Sequence, residues 1–248
     1  MKLSFAQDRL LAVMAHPDDA ELLCAGTLAR AKTDGAAIAI CVMCAGDKGM
    51  SRSEKTTNLT DVRRAEVIDA AKLIAADTFF CGVPDGELAD AVPARRALIE
   101  VYRQFEPTLV LAHAATDYHP DHRAASALAE AASWFAASGG HVTDSPALPA
   151  PPAVWWCDTV NMADFTPEFY VDVSGHVETK QRMLDCHGSQ LRRGGESDFA
   201  PLEELMLRQC KTRGAQAGVA AAETFRAHNA FKRARAWYMK FPRRRRLL

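Results

Sequence analysis

Two short polar knots carry most of the chemistry available to this sequence. His16-Pro17-Asp18-Asp19-Ala20-Glu21 sets an imidazole beside two adjacent carboxylates, and Asp117-Tyr118-His119-Pro120-Asp121-His122-Arg123 repeats the mixture later in the chain. Hydrolytic metal sites take three protein ligands from such residues and keep one position open. The first knot offers His16 and Asp19. The second offers His122, His119 or both, because i and i+3 share a face at a helix start, and spacing alone does not choose between them. A site of this kind polarises a carbonyl and lowers the pKa of bound water to about 7. Asp18 is then free to accept a proton, and a protonated His119, its pKa raised by Asp121, suits a developing oxyanion. The expected chemistry is metal-assisted hydrolysis of an amide. A purely structural reading makes Asp18 and Asp19 helix N-caps and His16 a turn residue. It accounts for either knot alone better than for both at strand ends.

The elements that must position the knots can be read from hydropathy. Residues 10–15 and 36–44 are uniformly apolar and predict buried strands, and residues 78–81, 108–112, 153–157 and 169–173 predict further ones. Helical spacing falls between them, over residues 20–32, 61–76, 93–105, 123–137 and 175–186, with a last helix at 202–211. Strand–helix alternation predicts right-handed βαβ units and an α/β fold with a mostly parallel, Rossmann-like sheet and helices on both faces. Ligands of open α/β sheets bind outside the carboxyl ends of the strands, where both knots fall. The G-x-G-x-x-G fingerprint is absent after the first strand, which disfavours a nucleotide-binding oxidoreductase. Cys41 and Cys44 form a C-x-x-C, but alternation along a strand predicts opposite faces and core thiols.

The chain has 248 residues, 48% of them hydrophobic, which suits a single α/β domain over 1–248: a core at about 8–175 and a C-terminal extension at about 176–248. A formal net charge of -1 gives no reason to expect nucleic acid as a partner. The arginines at 243–246 read as a solvated tail, and Arg192-Arg193-Gly194-Gly195 as a mobile loop. No run reaches the roughly 20 apolar residues of a membrane span. The N-terminus lacks a signal-peptide pattern, and seven cysteines, an odd number, fit a reducing cytoplasm. Residues 138–152, rich in Gly, Pro and Ser, read as an insertion.

Taken together, Ala15-His16-Pro17-Asp18-Asp19-Ala20-Glu21 and His119-Pro120-Asp121-His122 resemble the PIG-L/LmbE-like family of zinc-dependent N-deacetylases. The resemblance spans most of residues 10–173 and returns more weakly at His187-Gly188-Ser189-Gln190 and residues 222–226. It implies a Rossmann-like fold and removal of an acetyl or other acyl group from the nitrogen of an amino sugar or its conjugate. It further implies that His16, Asp19 and His122 hold zinc, with ferrous iron as the alternative, and that Asp18 is the general base. His119 would then stabilise the oxyanion, with Asp121 orienting it. Arg63, Asp85 and His187 are the substrate-binding candidates, and His113 is expected behind the metal or in the core. The partner implied is a small-molecule N-acylated amino sugar, with a homo-oligomer left open. Competing readings are an amidase for a larger thiol-sugar or natural-product conjugate, and a metal- or sugar-binding protein without turnover. A non-ligand acid at Asp18 speaks against the last.

Overall fold

The computed structural model describes residues 3–49, 58–191 and 201–230. The middle of the loop after the second strand, the Arg192–Gly195 stretch and the arginines at 243–246 lie outside them. Strand β1 (Arg9–Met14) is too apolar to face water on either side, and it is an interior strand of a seven-stranded sheet. It pairs in parallel with β2 (Ala37–Cys44) on one side and β4 (Leu109–Ala112) on the other. Beyond β2 lies β3 (Asp77–Val83), and beyond β4 lies β5 (Ala153–Cys157), both parallel. Strands β6 (Phe169–Asp172) and β7 (Ala222–Ala227) complete the order β3-β2-β1-β4-β5-β7-β6, with both β7 pairings antiparallel.

Side chains alternate along β1 between two cores. Leu10, Ala12 and Met14 join one, under helices α1 (Asp19–Leu23), α2 (Ala25–Asp34), α3 (Leu59–Lys72), α6 (Val177–Asp185) and α8 (Leu202–Ala217). Leu11 and Val13 join the other, under α4 (Val92–Phe105) and α5 (Pro120–Phe135). The four-residue α7 (Gly188–Leu191) follows α6. Helices therefore cover both faces, as expected from the alternation. The chain winds from β1 outward to β3 and then returns to the other side of β1 at β4, so the crevice of an open α/β sheet opens between the carboxyl ends of β1 and β4. Both knots lie there.

Three local features depart from the sequence reading. The helix expected at 20–32 is two helices that break at Cys24, because Gly26 and Thr27 N–H groups at the start of α2 donate to Glu223. A Cβ at Gly26 would meet Val173 Cβ at 2.9 Å, so only glycine permits this approach. The C-terminal stretch is woven into the fold, since β7 lies between β5 and β6. The register shift between Val42 and Cys44 overrides strand alternation and puts Cys44 in the same core as Cys41. The insertion after α5 lies along α4, held by Arg103 bonds to Ala136, Ser138 and Ser145 carbonyls. All seven cysteines are free thiols, and no helix among the described residues is long and apolar enough to cross a membrane.

Candidate active site

β1 delivers His16, and the chain turns into α1 through Asp18, whose φ of 91° lies in the left-handed region that a Cβ disfavours. Strain of this kind persists where the surroundings over-determine it, commonly at functional sites. The turn brings the Asp19 carboxylate back under the His16 N–H, which donates to Oδ2 at 2.7 Å. On the neighbouring strand β4, the second knot enters α5 with Pro120 in the first turn, where a missing N–H costs nothing. His122 then faces His16.

Three donors converge. His16 Nδ1 is 3.3 Å from His122 Nε2 and 3.5 Å from Asp19 Oδ2, and His122 Nε2 is 3.4 Å from Asp19 Oδ1. Nitrogen donors about 2.1 Å from a tetrahedral ion stand about 3.4 Å from one another, so each of these separations is of the size expected between ligands of such a site, with the two oxygens of Asp19 facing one imidazole each. The donors are imidazole and carboxylate, a set that suits a divalent transition metal. Three overlapping groups also bring donor atoms together: His16, His119 and His122; Asp19, His113 and His122; and His16, Cys44 and Asp121.

Each imidazole is fixed from behind. His16 Nε2 lies 3.0 Å from Asp121 Oδ2, and His122 Nδ1 lies 2.9 Å from Asp117 Oδ1, which leaves His16 Nδ1 and His122 Nε2 for a metal. Asp117 received no role from sequence, although it stands in the knot five residues before His122. His113, fully buried at the end of β4, stacks on His122 with ring centroids 4.0 Å apart.

Asp121 departs from expectation. Its carboxylate takes the Gly86 N–H at 2.7 Å as well as His16, and lies 3.9 Å from His119 Nδ1. His119 Nδ1 instead accepts the backbone N–H of Asp121 at 3.2 Å as the N-cap of α5. Burial and the neighbouring His16 and His122 hold the His119 pKa below its ordinary value, outweighing Asp121. His119 Nδ1 therefore acts as an acceptor, which leaves Nε2 as the ring's donor and runs against the protonated ring expected from Asp121.

Charge is distributed unevenly. Burial opposes charge on His16, but its bonds to Asp19 and Cys44 push its pKa up to about 12. Asp18 is 7% exposed, makes no N-cap hydrogen bond, and is pushed up to about 7 by burial and by the Asp19 charge. That value suits a proton acceptor working near neutrality.

A cavity of about 610 Å3 opens over these groups and is lined by Asp18, His119, Arg63 and Asp85 among others. Arg63 is buried and its guanidinium is committed to the loop after β2, donating to Gly46 O at 2.9 Å and Gly49 O at 2.6 Å. Asp85 accepts the Gly46 and Lys48 N–H groups of the same loop. Both residues shape the cavity wall. His187 does not reach the cavity lining. It is fully buried with Nε2 3.3 Å from Glu21, so the substrate contact expected of it is replaced by packing behind the wall. Its neighbour Gln190 does line the cavity and donates to Pro17 O at 2.5 Å, while Ser189 binds Glu66 of α3.

The profile of the family described as PIG-L, GlcNAc-PI de-N-acetylase, matches residues 11–133, which hold both knots. A 4-oxalmesaconate hydratase of Pseudomonas putida is 26% identical over 74% of each chain. A diacetylchitobiose deacetylase of Thermococcus kodakarensis is 26% identical over 73% of this chain and 70% of its own. Among solved structures, the conserved protein TT1542 of Thermus thermophilus is 30% identical with a TM-score of 0.76, covering 92% of this chain and all of that one.

Proposed function

The chain belongs to the PIG-L family of de-N-acetylases, and from that premise we propose that it hydrolyses the amide of an N-acylated amino sugar or conjugate, with zinc held by His16, Asp19 and His122. The observation that carries this reading is the triangle of His16 Nδ1, His122 Nε2 and the Asp19 carboxylate, with edges of 3.3–3.5 Å, beside an Asp18 that caps nothing. A bound divalent ion polarises the amide carbonyl and makes water a nucleophile near neutral pH.

The chain's residues supply the rest. Asp18 takes a proton from the attacking water and passes it to the departing nitrogen as the C–N bond breaks, giving a carboxylate and a free amine. His119 Nε2–H donates to the carbonyl oxygen as charge develops there. Asp121 and Asp117 keep the ligating nitrogens of His16 and His122 turned inward.

The hydratase relative raises a second reading, addition of water to an unsaturated carboxylate. Among the described residues, Arg63 is committed to the Gly46 and Gly49 carbonyls, whereas Lys48 meets Glu87 in an exposed pair at the cavity rim. The match to a de-N-acetylase family over both knots favours the amide.

The test is amine release from N-acetylglucosamine and N,N'-diacetylchitobiose by the metal-loaded protein, with metal analysis beside it. Release should stop on chelation and return with zinc. A folded, zinc-loaded sample that frees no amine but hydrates unsaturated carboxylates would overturn the amidase reading.

A further inference from the structure

Resting on the hydrolase reading above, we infer that the substrate carries an apolar arm, seated on Leu22, Val160, Leu202 and Leu205. The cavity lining has two unlike parts. The knots and the loop after β2 make one part charged. The other is apolar and comes from three elements far apart in sequence: Leu22 from α1, Val160 from the segment after β5, and Leu202 and Leu205 from the start of α8. Leu22 follows Asp19 by one turn of α1, so the apolar surface begins beside the proposed ligand carboxylate. Leu202 and Leu205 share the same i, i+3 relation on α8, where Met206 is buried in the core and Glu203 and Glu204 are exposed. Helices α1 and α8 are in contact, which joins the two apolar stripes.

Core packing does not account for this whole surface. Leu22 belongs to one core cluster, and Val160 and Leu202 pack against it, but among the described residues half-buried Leu205 joins neither. At a cavity whose other lining is charged, such a leucine gains its burial from a guest. Cavities of roughly 300–1,000 Å3 hold drug-sized ligands, so a volume of about 610 Å3 leaves room beyond an acetylated sugar ring. The arm has two sources with the same chemistry, a run of methylenes or an aryl ring. It is either the acyl chain that leaves or the group on the anomeric carbon of the sugar.

Two ligand series separate the sources: glucosamines N-acylated from acetyl to octanoyl, and N-acetylglucosamine glycosides from methyl to octyl. Binding is measured by calorimetry on the metal-loaded Asp18→Asn variant, and kcat/KM on the unaltered protein. Affinity should tighten by up to about fourfold per buried methylene in one series, and that series identifies the arm. Leu205→Asp, at a helix start where an acid is tolerated, should flatten the slope, and Leu205→Met should keep it. Thermal unfolding confirms that both variants fold. Affinity independent of chain length in both series overturns the inference, even where the parent amide is hydrolysed. Affinity that climbs in a protein that cleaves none of the amides overturns the reaction and upholds the apolar wall.

Discussion

Buried carboxylates occur in two places in this molecule and are in opposite states. Glu223 is 3% exposed and fully partnered, with Lys180 Nζ at 2.5 Å and the Gly26 and Thr27 N–H groups at 2.9 and 2.7 Å. It joins β7, α6 and α2 into one unit. In the knots, Asp18 is held with a positive φ and no capping bond, and, among the described residues, His113 Nδ1 and Asp117 Oδ2 have no hydrogen-bond partner. Satisfied buried charge fixes architecture, whereas buried polar groups short of partners keep capacity for a cation and a reacting molecule.

The sharpest way to test the contrast is to change adjacent acids in the unsatisfied cluster. Asp19→Ala should empty the metal site, measured as metal content. Asp18→Asn should keep the metal and lose about 100- to 10,000-fold in kcat. Equal metal loss in both variants would erase the distinction between ligand and base.

Lys180→Met strikes the satisfied cluster. It leaves a buried carboxylate short of its cation and should cost about 3–5 kcal/mol in denaturant unfolding, with metal content unchanged. A cost under about 1 kcal/mol would mean that the two N–H donors of α2 suffice.

A smaller effect is expected behind His122. Asp117→Asn should weaken metal binding about 10- to 100-fold in competition with a chelator, because the imidazole loses its anionic anchor. Unchanged affinity would remove Asp117 from the site.

The smallest effect concerns Glu100, which accepts from Ser145 N–H at 3.1 Å and Ser145 Oγ at 2.6 Å. Burial opposes its charge, yet these bonds bring its pKa from 4.5 to about 2. A carboxylate lowered by folding stabilises the fold above pH 4.5 and loses that contribution as the pH falls toward 2. The stability gap between the unaltered protein and Ser145→Ala should therefore narrow below about pH 4.5. A gap that stays constant with pH would show that it does not come from the charge of Glu100.

Much of this was legible in sequence. Leu10–Ala15 is apolar on both faces and allows little but a buried strand, and the polar residues after it had to emerge at the sheet's carboxyl edge. The same holds for β4 and the second knot. Charged residues that serve the interior were not legible. Glu223 gives no sign in sequence of an interior role, because its partners Lys180 and the N-terminus of α2 are remote along the chain. Arg63 reads as a solvated helix face or a substrate contact, yet its guanidinium is committed to loop carbonyls.

The sequence by itself determined the inventory: two knots, the strands that carry them, and an acid left over beside the metal-binding candidates. Local hydropathy and residue type suffice for that, because they act within one strand or one turn. Only the tertiary structure decided the pairing. Asp121 serves His16 because the turn after β3 delivers Gly86 to the same carboxylate, and Asp117 takes His122 instead. The C-terminal helix α8 brings Leu202 and Leu205 to a cavity begun by residues at the other end of the chain. Hydrogen bonds and apolar contacts depend on distances between elements, and those are set by how the layers pack.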